Sequence, residues 1–173
     1  MPMNATKSLR ISWPQLILGL VGLGISLYSI VVKQRIAAGA DTGCGFSQTI
    51  NCDVVIGSEK YGAFLGLPWG AWGAAYFVVV LLLSVNSAAS TQTPRQIAAW
   101  QLAVATVGIL TSIALTYISK AIIGAWCPVC MATHVTTTLL FIASLRSYFK
   151  VRRSEAGEQL AQAGTSPVDT PLS

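Results

Sequence analysis

Charge is what this chain has least of. Only 10% of its 173 residues are charged, against about 25% in soluble domains. There are six acidic residues and one histidine, and no Asp or Glu falls inside the long apolar runs. Buried charges mark ion and substrate paths in carriers, so this absence argues against a proton-coupled transporter. No basic run is interleaved with aromatics, so the net charge of +5 does not read as nucleic-acid binding. Cysteine is scarce too, at four residues. No internal repeat is present.

Apolar length is abundant: 53% of the residues are hydrophobic. A membrane-spanning helix needs about 20 mostly apolar residues, and four segments qualify: about Pro14–Val32, Gly62–Val85, Ile97–Ser119 and Pro128–Phe149. The last is the least clean, with Thr133, His134, three further threonines and Arg146. The expected fold is an all-α membrane protein, a four-transmembrane-helix bundle with a long extracytoplasmic loop between helices 1 and 2. A lead over 1–13 precedes the membrane domain of 14–150, and a polar tail over 151–173 is expected to be disordered.

Four spans place both termini on one side. That side holds Lys7, Arg10, Arg95, Arg146, Lys150, Arg152 and Arg153; the other holds Lys33, Arg35, Lys60 and Lys120, offset by Asp41, Asp53 and Glu59. The positive-inside rule then puts both termini in the cytoplasm. All four cysteines fall on the opposite, oxidising face expected of a bacterial inner membrane protein. A cleaved signal peptide is the other reading of the first span, with Ala38-Gly39-Ala40 as its site; the long apolar run and the intervening Lys33 and Arg35 disfavour it.

The loop from Lys33 to Tyr61 is the longest connection, and loops of that length are usually functional. Gly62, Gly66, Pro68, Gly70 and Gly73 open the second span. They predict irregular or tightly packed first turns, tolerated at membrane depth only under protein cover.

Cys127-Pro128-Val129-Cys130 opens the fourth span, and Cys44 and Cys52 lie in the long loop. A helix N-terminus favours the thiolate, the reactive form, and Pro128 fits a first helical turn. Zinc is one reading of four cysteines, but C-x2-C combined with C-x7-C in a membrane loop is poor zinc spacing. Two inert disulfides are another. A C-x2-C bridge closes too small a loop to restrain the unfolded chain much, so redox exchange is the favoured reading.

Taken together, the C-x7-C loop, Ser58 six residues beyond its second cysteine, Cys127-Pro128-Val129-Cys130 and Gly66-Leu67-Pro68 resemble the vitamin K epoxide reductase family, over roughly residues 12–150. Gly66-Leu67-Pro68 is similar to the bacterial members. The disulfide bond formation protein B family orders its motifs the other way, with C-x2-C early. The resemblance implies a quinone-dependent thiol–disulfide oxidoreductase that reoxidises a separate thioredoxin-like partner. By that resemblance a partner thiolate attacks Cys44–Cys52 at Cys52. Cys44 then attacks Cys127–Cys130 at Cys127, and Cys130 faces a membrane quinone, ubiquinone or menaquinone. The alternatives are thiol-driven reduction of vitamin K epoxide by the same residues, and a non-enzymatic membrane protein with structural disulfides.

A quinone ring needs a flat apolar slot and one or two hydrogen-bond donors. Trp126, Trp69, Trp72, Tyr76, Met131 and His134 are the candidates by position, although each aromatic also reads as packing or an interfacial belt. His134 lies one turn after Cys130 on the same helix face, where vertebrate members carry a tyrosine that contacts the quinone. Ser58 follows the family's loop serine or threonine, or is a plain turn residue.

Overall fold

The computed structural model describes residues 13–40, 42–45, 47–89 and 93–164. Its frame is four long helices: α1 (Trp13–Ala37), α3 (Trp69–Ala89), α4 (Pro94–Tyr117) and α5 (Pro128–Gly164). A short α2 (Cys52–Gly57) lies in the loop after α1, and a two-stranded hairpin, β1 (Ala63–Phe64) and β2 (Leu67–Pro68), precedes α3. All four long helices are apolar and long enough to cross a membrane. Their outward faces expose Leu20, Leu82, Val107, Leu110, Ile113 and Val135. So much exposed apolar surface fits contact with lipid rather than water. The protein is an integral membrane protein.

In the bundle α1 packs against α3 and α5, α5 against α4, and α3 more lightly against α4. Small residues set the tightest seam. A Cβ at Gly70 would lie 2.9 Å from the Ser26 carbonyl oxygen, and one at Gly22 would collide with the Phe77 ring. Close backbone approach of this kind holds helices together where hydrophobic driving force is missing. Across the α1–α5 seam, the buried Gln15 side-chain amide donates to Ser144 Oγ at 3.1 Å.

The threonine-rich fourth span is accommodated by local hydrogen bonding. Thr133, Thr136, Thr137 and Thr138 each donate to the carbonyl four residues earlier, at 3.2, 2.8, 2.9 and 2.8 Å. These hydroxyls need no partner from lipid.

Helix starts follow local chemistry. Thr93 caps α4 in a reciprocal box: its hydroxyl accepts from the Gln96 amide and Gln96 Oε1 accepts from the Thr93 amide, with Pro94 next. α4 ends in a wider π turn, Ile118–Ile123, closed by Gly124 at φ 76°.

Three expectations are corrected. The second span begins at Trp69, not Gly62: Leu65 (φ 52°) and Gly66 (φ 79°) form a two-residue left-handed turn pairing Ala63 with Pro68 and Phe64 with Leu67. Such turns match strand twist and so nucleate a hairpin. α1 runs on to Ala37, where Lys33 Nζ donates to the Ile56 carbonyl at 2.8 Å and fastens α2 to α1. α5 continues to Gly164, so 151–164 are helical where a disordered tail is expected. That stretch is rich in Ala, Glu, Gln and Arg, good helix formers, with no proline before Pro167. The expected lead and the rest of the tail, 1–12 and 165–173, lie outside the described residues.

Candidate active site

The loop is built to present one cysteine pair. Asn51 caps α2, its Oδ1 accepting from the amides of Asp53 (2.9 Å) and Val54 (3.2 Å). This fixes Cys52 as the first residue of α2. The Thr42 hydroxyl donates to Asp53 Oδ1, closing the loop over the same turn. Cys44 and Cys52 are bonded to each other, with Cα atoms 5.4 Å apart.

The second pair starts α5. Cys127 precedes Pro128 and accepts on Sγ from the Cys130 amide at 3.2 Å, so its sulfur serves as the helix cap. The Cys130 thiol donates to Cys127 Sγ at 2.6 Å, and both cysteines are free. The hydrogen bond from the Cys130 side chain holds the Cys127 thiol below the usual thiol range.

Two main-chain bonds join the halves: Asn51 N donates to the Trp126 carbonyl at 2.9 Å and Trp126 N to the Thr49 carbonyl at 2.7 Å. All four cysteines therefore share one apolar cluster, in which Cys44, Cys52 and Cys127 are buried with Val32 and Ile56, and Cys130 packs against them.

Cys130 also lines a cavity of about 400 Å³ between the helices, together with His134, Tyr76, Trp69, Trp72 and Phe64. Phe64 stacks on Trp69 (centroids 5.4 Å apart) and meets Trp72 edge-on at 6.1 Å. The two indole N–H groups are already used: Trp69 donates to the Tyr61 carbonyl at 2.9 Å and Trp72 to the Phe64 carbonyl at 3.0 Å. Tyr76 OH and His134 Nδ1 are buried without a hydrogen-bond partner among the described residues. Both residues line this cavity. Buried polar atoms rarely stay unpaired without a reason. A smaller chamber of about 70 Å³, lined in part by Tyr61 and Ser119, shares Cys130 and His134 with it.

The sequence profile of the vitamin K epoxide reductase family matches residues 13–145. The chain belongs to that family. It is a membrane thiol oxidoreductase, of a family generally linked to quinones. Comparison with curated proteins gives no match. The residues present fit a quinone: a ring-sized apolar cavity, aromatic walls and two unpaired polar atoms suited to a flat ring with two carbonyl oxygens.

Within this family member, the structure brings His134, Trp69, Trp72 and Tyr76 around one cavity with Cys130. It does not bring Trp126, Met131 or Ser58 there. Trp126 lies beneath Lys120 Nζ, 4.7 Å from its ring centroid, on an outer groove between α4 and α5. Met131 donates its amide to the Cys127 carbonyl in the first turn of α5. Ser58 ends α2, its Oγ accepting from the Tyr61 amide at 3.2 Å, the turn role. Sequence reasoning missed Phe64, Gly108, Ser26 and Ser112 on the cavity wall. Only Phe64 carried a signal, as an aromatic two residues before the turn glycine Gly66. Among the described residues no group of three or more His, Cys, Asp or Glu could hold a metal.

Proposed function

We propose that the protein makes disulfides by reoxidising a thioredoxin-like partner and passing the electrons to a membrane quinone. A partner thiolate attacks the Cys44–Cys52 bond at Cys52, and the resulting mixed disulfide resolves to leave the partner oxidised and the loop pair as two thiols. Cys44, as thiolate, then attacks an oxidised Cys127–Cys130 at Cys127, and Cys52 closes the loop disulfide again. The helix pair is left as two thiols. A bound quinone supplies the sink for their two electrons and two protons. Cys127 and Cys130 end the cycle as a disulfide, and each exchange is governed by thiolate fraction and alignment.

The single observation that carries this reading is the shared cluster, which sets Cys130 between the other cysteines and the aromatic cavity. Tyr76 and His134 would hold the two carbonyl oxygens, and the Trp69 and Trp72 rings would flank the ring. The same reading places the protein in a bacterial inner membrane with the cysteines outside and both termini in the cytoplasm. It is supported by Arg95, Arg146, Lys150, Arg152 and Arg153 at the end remote from the cysteines.

The test is anaerobic stopped-flow quinone reduction, using either a reduced thioredoxin-like protein or a small dithiol as donor. Wild type should turn over with both. Cys130→Ala should be inactive with both, and Cys44→Ala should fail with the protein and work with the dithiol. Identical behaviour of all three proteins would refute the relay. Turnover of vitamin K epoxide in place of quinone reduction would assign the same residues to epoxide reduction, with thiols still the electron source.

A further inference from the structure

At the end of the bundle farthest from the cysteines, α5 carries Arg146, Lys150 and Arg153, spaced four and three residues apart. At 100° per residue these fall within about 60° of arc and span about 10 Å along the axis. Leu145 and Phe149 flank them, and together with Ser154 the five line one surface groove of about 670 Å³. Arg146, Lys150 and Arg153 are exposed. None of the three makes a salt bridge among the described residues. The nearest described acid on the helix, Glu155, sits on the opposite face by the same helical count. The face therefore presents three unpaired cations beside an aromatic and an aliphatic side chain, where the apolar span gives way to polar helix.

We propose that this face is a binding site for an anionic phospholipid of the leaflet at that end of the bundle. Lysine and arginine donors match phosphate oxygens. Phe149 and Leu145 offer a seat for the upper acyl chain, and the span itself places lipid against this surface. Polybasic segments next to a membrane helix attract anionic headgroups. Here the cations are not merely numerous but aligned, which separates a site from a general charge bias.

The test uses the full chain reconstituted in phosphatidylglycerol, in phosphatidylcholine, and in phosphatidylcholine with inorganic phosphate added. Retained lipid is read by native mass spectrometry and by thermal stability. Wild type should retain phosphatidylglycerol over phosphatidylcholine, and free phosphate should not substitute for it. Arg153→Gln should weaken retention about five-fold, the effect of one juxtamembrane basic residue, and R146Q/K150Q/R153Q should abolish the preference. Arg152→Gln removes the same charge from a different face and should weaken retention less than Arg153→Gln does. Equal loss in Arg152→Gln and Arg153→Gln, no preference in wild type, or full replacement by free phosphate would each overturn the proposal.

Discussion

The two cysteine pairs sit in one cluster but are held by different physics. Cys44 and Cys52 depend on side-chain caps and turn bonds in a loop whose neighbours Gly43, Gly45 and residues 47–50 are exposed. Cys127 and Cys130 depend on the start of a 37-residue helix; burial does not separate the pairs, since Cys52 is 0% and Cys127 1% exposed. A loop held by a few polar contacts opens locally at low cost, whereas a helix turn inside a bundle opens only with the bundle. The first pair suits an exchange that needs local opening. The second suits fixed alignment toward a cavity.

The strongest way to break this contrast is to remove one cysteine from each pair. Cys127→Ala should abolish quinone reduction with every donor, while Cys52→Ala should lose only the protein donor; stopped-flow traces with both donors decide it. Next in size is Gly108→Ala. An added Cβ there would collide with the Tyr76 hydroxyl and push that ring into the cavity. Overpacking of this kind costs about 1–3 kcal/mol, so the quinone KM should rise about 10-fold or more, and further for a two-ring than for a one-ring quinone. Gly24→Ala, with nothing within 4 Å, is the control expected to match wild type. Smaller again is Tyr76→Phe, which removes one donor without changing the packing. A hydrogen bond worth about 1 kcal/mol predicts a rise in quinone KM of about five-fold with little change in kcat. An unchanged KM would show that the hydroxyl does not meet the ring. The smallest effect sharpens the contrast from the loop side. Asn51→Ala removes the α2 cap, worth about 1 kcal/mol. Amide exchange over 51–54 should quicken about five-fold, with the dithiol-driven rate unchanged.

Four spans were legible because apolar length is a local signal, and the two cysteine pairs were legible through the family resemblance, whereas which pair is bonded was not. The start of the second span was not. Its glycines announce irregular backbone, but only the left-handed pair Leu65-Gly66 turns that irregularity into a hairpin, and leucine gives no warning of a positive φ. The cavity was half legible. His134 stood out one turn after Cys130, and Trp69, Trp72 and Tyr76 by their position early in the second span, yet sequence said nothing about which N–H groups were already spent. The carbonyls of Tyr61 and Phe64 take both indoles, leaving Tyr76 and His134 as the buried polar atoms on offer. Trp126 was misleading for a related reason. It adjoins Cys127 in sequence, but the chain is extended there rather than helical, and its ring meets Lys120 on the outer groove.

The paired main-chain bonds between Asn51 and Trp126 and between Trp126 and Thr49 make the departure of the loop audible at two atoms. While the loop is docked, the Asn51 and Trp126 amide protons are shielded together; when it leaves, both are released in the same event. Isotope labels at these two positions would act as a stopwatch for the loop. If the two amides exchange at one common rate that tracks turnover with the protein donor, the step that limits the enzyme is mechanical, not chemical.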